Sequence, residues 1–200
     1  HMLGSSQELL AFLNKILEMV QLTSERTPLL KEEVDLNVVL LKLIALHKAT
    51  AAQKQLKLTF DYDAALPTHF IGDSERIQKI LLELVSNALK FTQEGGIHIA
   101  IQLVEETEQL VIIKILVRDT GEGIPEDKKE AIFSMFNRVH PAYEGVYRGM
   151  GLGLTITKQL VEDLEGEFYL ESKLGEGSTF VCMLPLKKAD KSSIDYLTEQ

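Results

Sequence analysis

The sequence predicts an α+β fold in two layers, a mixed and mostly antiparallel sheet with helices on one face, plus one further helix at the N-terminus. Three observations predict it. Residues 110–117 are almost continuously apolar and β-branched, as a strand buried in a sheet is. In Ser74–Phe91, by contrast, Ile77, Ile80, Leu81, Leu84, Ala88 and Phe91 recur at helical spacing, which makes a stripe that must face a core. Finally, a lone strand and two hairpins joined by short polar turns alternate with helices along the chain, the order expected of helices packed on one side of a sheet.

The elements follow in chain order. Residues 7–22 read as a helix with Leu9, Leu10, Leu13, Ile16, Leu17 and Val20 on one stripe, which either meets a second copy or docks on its own domain. A linker to Glu33 precedes a helix at Leu36–Gln53 and a strand at 56–62. The helix Ser74–Phe91 has Asp73 or Ser74 as its cap. A hairpin of 97–104 and 110–118 turns through the polar residues 105–109. Then come a helix at 126–136, a lid at 137–150 rich in Gly, Tyr and Arg, and a helix from Leu152. Two strands, 167–172 and 178–184, turn at Leu174-Gly175-Glu176-Gly177, and the polar stretch from Lys187 to Gln200 reads as a linker. No internal repeat is evident.

Composition sets limits. With 200 residues and 45% apolar content, one domain of about 150 residues with appendages can bury a sizeable core. A net charge of −9 with a pI near 5.1, and no basic stripe, argues against a nucleic-acid partner. Cys182 is the lone cysteine, in an apolar strand run, and fits a small buried hydrophobe in a reducing compartment. No apolar stretch approaches the ~18 residues of a membrane span, so no membrane contact by this chain and a cytoplasmic location are expected, even where a parent protein is anchored in a membrane. His1 before Met2 reads as the remainder of an affinity tag, with residues 1–4 outside the fold.

Chemistry concentrates in three places. Asp119-Thr120-Gly121-Glu122-Gly123-Ile124-Pro125 begins where the apolar strand ends. An ionised carboxylate there is an acceptor only and needs a donor, a role that the exocyclic amine of a purine fills. Gly121 and Gly123 let backbone approach a flat ring, although the same residues also make an ordinary strand-to-helix turn with Pro125 at the first helical position. Gly149, Gly151 and Gly153 alternate just before an amphipathic run and suit a phosphate held on helix N–H groups, or a hinge. The spacing is neither that of a P-loop nor that of a dinucleotide fold. On the helix Ser74–Phe91, Glu83, Asn87 and Lys90 fall within an arc of roughly 60° beside the core stripe, a carboxylate, an amide and an ammonium that suit a magnesium ion and a triphosphate, or else a solvated face.

Five boxes in order, Asn87-Ala88-Leu89-Lys90-Phe91, the Asp119–Pro125 segment, the residues 132–139 with Phe133 and Phe136, the residues 149–154 (Gly-Met-Gly-Leu-Gly-Leu) and the residues 175–180 (Gly-Glu-Gly-Ser-Thr-Phe), make a specific combination. The chain resembles the catalytic and ATP-binding domain of bacterial sensor histidine kinases, within the superfamily of DNA gyrase B, the Hsp90 chaperone and MutL. The resemblance covers a catalytic domain at 33–187 and, upstream at 5–32, the second helix of a dimerisation and phosphoacceptor hairpin with its linker. It implies ATP and Mg2+ as cofactors. Asp119 would bind the adenine amine, Gly121, Gly123 and Ile124 line the base, Asn87 ligate magnesium and Lys90 touch phosphate. Gly149, Gly151, Leu152, Gly153 and Leu154 would anchor the lid, Thr179 lie near adenine, and Arg138 reach the γ-phosphate or stand as a surface arginine. The implied partners are ATP or ADP, the protein's own phosphoacceptor hairpin in a homodimer, and a response-regulator receiver domain.

Two departures from the family pattern matter. Many sensor kinases carry asparagine where this chain has Glu83; in the ATP-hydrolysing relatives a glutamate at this end of the helix activates water, so Glu83 is a candidate general base or second magnesium contact. None of the five histidines is followed by glutamate, as the family's acceptor is, and the echo of that motif at 24–29 has adjacent Glu25 and Arg26 and lies after the presumed second helix. The chain is expected to bind ATP without carrying its acceptor. A self-contained ATPase using Glu83 and a catalytically silent binding module are the other readings of these residues.

Overall fold

The computed structural model describes residues 28–134 and 151–189, together with 13, 14 and 17. Its elements are β1 (Glu32–Val34), α1 (Leu36–Gln53), β2 (Lys57–Tyr62), β3 (Phe70–Gly72), α2 (Ser74–Phe91), β4 (Gly96–Glu106), β5 (Leu110–Asp119), two single 3-10 turns at Glu126–Lys128 and Ala131–Phe133, α3 (Gly153–Asp163), β6 (Glu167–Lys173) and β7 (Gly177–Lys188). The strands form one mixed sheet in the order β1-β3-β7-β5-β4-β2, with β6 paired to β7. Every pairing is antiparallel except β2 with β4, whose connection passes through β3 and α2. The expected two-layer α+β architecture is the one observed.

Strand β5 sits between β4 and β7 and shows why the helices share one face. Val111, Ile113, Ile115 and Val117 are fully buried, while the alternate residues Lys114 and Arg118 are not. A period of two over ten residues fixes the register, because a slip by one would turn the apolar row to water. Against that row pack Ile77, Ile80, Leu81, Leu84 and Val85 of α2, all fully buried, and Ile156, Leu160 and Val161 of α3. Cys182 lies within the same core, and burial pushes its thiol up to about 12, so it remains a protonated hydrophobe.

Three expectations change. The predicted helix at 126–136 is instead two 3-10 turns: residues 126–130 are nearly all charged, so only Ile132 and Phe133 have a core to enter, and the Phe133 carbonyl accepts from the Thr155 hydroxyl at 3.0 Å. Strands β1 and β3 escaped notice, since three residues are too few to display a period. The sheet also runs further than expected, because Lys187 and Lys188, read as the start of a polar tail, pair with β3. The lid at 137–150, Phe136 and the tail beyond 189 lie outside the described residues, as does most of the N-terminal helix, of which Leu13, Asn14 and Leu17 are helical and exposed. No helix among the described residues is long and apolar enough to cross a membrane.

Helix α1 ends in a left-handed cap. The Leu56 N–H donates to Ala51 O at 2.9 Å and the Gln55 N–H to Ala52 O at 3.0 Å, which places Gln55 at φ 58°. A side chain in this region is strained, so Gln55→Gly is predicted to stabilise the protein by about 0.5–1 kcal/mol, read as a higher urea midpoint at unchanged slope. A midpoint equal to or below that of the parent would contradict this.

Candidate functional site

The site gathers around the end of β5. Asp119 pairs in register with Ile97 of β4 and Ser178 of β7, and it is 5% exposed. One carboxylate oxygen accepts the Gly121 N–H at 2.8 Å. Burial raises the carboxyl pKa above the ordinary 3.8; the N–H groups of Gly121 and Ser178 work the other way, and the nearby Glu122 charge raises it again. A carboxylate this buried is an acceptor at the mouth of the strand, and it suits a neutral donor such as an amine.

Two glycines permit the approach of the surrounding backbone. A Cβ on Gly121 would stand 2.6 Å from the Phe91 carbonyl oxygen and 2.8 Å from the Asp119 carboxylate. Gly123 has φ 69°, and any side chain there would strike the Lys173 carbonyl. The loop is then fixed by the Ile124 N–H donating to the Ser172 hydroxyl at 2.8 Å, and by the Gly175 N–H donating to Glu122 O at 2.7 Å. The boxes read separately along the chain at 119–125 and 175–180 are thus one hydrogen-bonded unit.

Helix α2 enters the same unit by its C-terminal turn. Its N-terminus is capped by Asp73, which accepts the Arg76 N–H at 2.9 Å, as one of the two expected caps. At the other end the Glu122 N–H donates to Phe91 O at 3.4 Å, so Lys90 and, one turn earlier, Asn87 lie beside the Asp119–Gly121 turn. Glu83, Asn87 and Lys90 are all half-buried, on the flank between the core stripe and water that the periodicity predicted. The Lys90 ammonium lies 4.6 Å from the centre of the Phe91 ring. Glu83 and Asn87, four apart, present a carboxylate and an amide oxygen on neighbouring turns, a donor set that fits a magnesium ion completed by phosphate and water.

Helix α3 closes the third side. Gly151 adopts φ 68°, and the helix starts at Gly153 with Leu152 before it, whose apolar side chain offers no cap to the first N–H groups. Leu152 is fully buried and Leu154 packs at the core edge, so both are anchors in the fold. Phe133 meets Phe168 edge to face at 5.5 Å, and with the Thr155 bond to its carbonyl it pins residue 134 close to α3. Arg138 and Gly149 lie outside the described residues.

Thr179 pairs with Arg118, one register step from Asp119, and successive side chains leave opposite faces of a strand. Ser178 is therefore the residue on the Asp119 side; it is buried, and its hydroxyl lies 2.9 Å from that of Ser172. The sequence carried a usable signal, since the alternation 178, 180, 182, 184 against 179, 181, 183 assigns faces once Cys182 and Leu184 are taken as core.

The profile of the family described as histidine kinase-, DNA gyrase B-, and HSP90-like ATPase matches residues 72–188, more than half of the chain. The chain belongs to this family. Within it, hybrid signal transduction histidine kinase L of Dictyostelium discoideum is 36% identical over 92% of the chain and 11% of that protein. The signal transduction histidine-protein kinase BarA of Escherichia coli strain K12 is 34% identical over 88% of the chain and 19% of its own length. The chain thus spans about a tenth to a fifth of these curated relatives. Among solved structures, full-length ShkA in complex with AMPPNP superposes with a TM-score of 0.82 at 27% identity, covering 93% of this chain and 37% of that one. The catalytic domain of histidine kinase ThkA gives 0.60 at 27% identity over 78% of this chain and 95% of its own. The ATP-binding catalytic domain of a histidine kinase is therefore what this chain contains.

The buried carboxylate has a stability consequence. A native pKa raised above the unfolded value means that the folded state binds the extra proton, so stability falls as pH rises from about 3.8 through the raised value. Asp119→Asn keeps an oxygen for the Gly121 N–H and lacks that loss. The melting temperature of Asp119→Asn relative to the parent is predicted to climb across this interval and to stay higher at neutral pH; a difference that does not change with pH would contradict the burial argument.

Proposed function

We propose that this chain is the part of a sensor histidine kinase that binds magnesium-ATP and presents its γ-phosphoryl group to a histidine outside the described fold. The observation that carries this reading is the Asp119 carboxylate, buried at the end of β5 and bonded to the Gly121 N–H, an acceptor placed for the adenine amine. Ser178 completes that wall, while Gly121, Gly123 and Ile124 frame the base. Asn87, with Glu83 beside it, holds the magnesium ion, and Lys90 meets phosphate. Magnesium supplies charge neutralisation on the phosphoryl oxygens.

The chemistry asked of the protein is positioning. A neutral imidazole nitrogen attacks the γ-phosphorus, the bond from that phosphorus to the bridging oxygen of ADP breaks, and the transition state is loose, so fixed charges and alignment do most of the work. The first N–H groups of α3, at Gly153 and beyond, supply partial positive charge toward the phosphates, and Gly149, Gly151 and Arg138 are assigned to the phosphate side by the family resemblance alone. In the full protein the histidine belongs to a dimerisation hairpin of a homodimer, and the phosphoryl group passes to a receiver-domain aspartate. The names of the relatives, a hybrid signal transduction histidine kinase and a signal transduction histidine-protein kinase, support a signalling role of this kind. A cytoplasmic location follows from the same reading.

The test is incubation of the chain with γ-labelled ATP, magnesium and an added hairpin bearing the acceptor histidine. Acid-labile, alkali-stable label on the hairpin is the predicted result; free phosphate alone would point to an ATPase, and neither product to a silent binding module. Glu83 is tested separately. Glu83→Gln is predicted to abolish slow ATP hydrolysis while leaving nucleotide affinity within about twofold, because an amide cannot accept the proton of water. Unchanged hydrolysis would remove Glu83 from the role of base.

A further inference from the structure

The C-terminal turn of α2 ends inside the molecule, where its last carbonyl groups need donors that a helix cannot itself supply. Each of them has one. Ala88 O accepts from both the N–H and the hydroxyl of Thr92, at 3.0 and 2.7 Å, and Phe91 O accepts from the Glu122 N–H. The other three acceptors, Leu89 O, Lys90 O and Thr92 O, converge on one ammonium, that of Lys54, at 2.6, 3.4 and 3.1 Å.

Lys54 is well fixed for this task. It is the residue on which α1 terminates, its own N–H donates to Thr50 O and Ala52 O, and Gln55 beyond it is locked in the left-handed region. An ammonium offers three N–H donors and no acceptor, and here there are three carbonyls for three donors. The charge also sits at the negative end of the α2 dipole, half-buried, where it interacts more strongly than at the surface. The carbonyls it gathers belong to the same turn that bears Lys90, follows Asn87 and abuts Gly121.

We propose that Lys54 is a positioning residue of the nucleotide site: by holding the last turn of α2 through three carbonyls, it sets how Asn87 and Lys90 face the metal and phosphates beside the Asp119–Gly121 turn. This rests on the reading of Asn87 and Lys90 given above. A residue that merely stabilised the fold would, when replaced, lower the melting temperature and leave the folded site unchanged toward every part of the ligand. A positioning residue alters the phosphate and metal half of recognition more than the adenine half, which rests on β5.

The experiment titrates magnesium-ATP and, separately, adenosine into the 200-residue chain and into Lys54→Met, with circular dichroism confirming that both are folded at the temperature used. Lys54→Met is expected to bind magnesium-ATP about tenfold more weakly and adenosine within about twofold of the parent, since a displaced ligand set loses affinity only for the groups it contacts. Equal affinities for magnesium-ATP, or an equal loss for both ligands, would overturn the positioning role while leaving the nucleotide site intact. Failure of the parent chain to bind magnesium-ATP would overturn the site reading and this inference with it. Where Lys54→Met does not fold, Lys54→Gln, which keeps a donor for one carbonyl, is judged by the same split.

Discussion

A carboxylate kept from water at the end of the central strand is the constraint on which the rest of this structure turns. Asp119 must be buried to offer a lone acceptor, and burial in a core costs free energy unless neighbouring N–H groups share the charge. The Gly121 and Ser178 amides do so, and they can reach it only because β7 pairs with β5 to its last residue and because the turn after β5 folds back on itself. The sheet order, with β5 flanked by β4 and β7, is therefore as much a part of the site as the acid.

From that point the remaining pieces are joined by backbone. The C-terminal turn of α2 leans its Phe91 carbonyl against Gly121, the loop after Gly121 is bonded to the β6–β7 turn, and Phe133 ties the approach to α3. Main-chain bonds between segments far apart in sequence leave little freedom for the groups they carry. Lys54 extends the same logic to α1, since a single side chain satisfies two carbonyls of α2 and that of its cap Thr92, and so links the first helix to the nucleotide-binding turn. Phosphoryl transfer rewards such rigidity, because the protein supplies alignment and charge more than covalent chemistry.

Much of this was legible in the sequence, and the parts that were not share physical causes. The long elements declared themselves: β5 by its nearly continuous apolar, β-branched run and α2 by eighteen residues at helical period. The burial of Asp119, the close approach at the two glycines after it, and the half-buried flank of Glu83, Asn87 and Lys90 agree with type and spacing in the sequence. Three-residue strands carry no period, and the charged run after Pro125 formed isolated turns because only two of its side chains had a core to enter. Ser178, whose side chain shares the Asp119 face, is exposed only by pairing partners. Lys54 gave no signal at all, since a lysine at the end of a helix reads as solvated until the carbonyls of another helix are placed beside it.

The central claim, that Asp119 is the adenine-recognising acid of an ATP site, is met most directly by calorimetric titration of ATP and ADP, with and without magnesium, into the parent chain and Asp119→Asn. The account predicts binding by the parent and its loss in a variant that remains folded, because the amide presents a donor where the adenine amine requires an acceptor. Equal affinity in the two proteins would contradict it and place the nucleotide elsewhere.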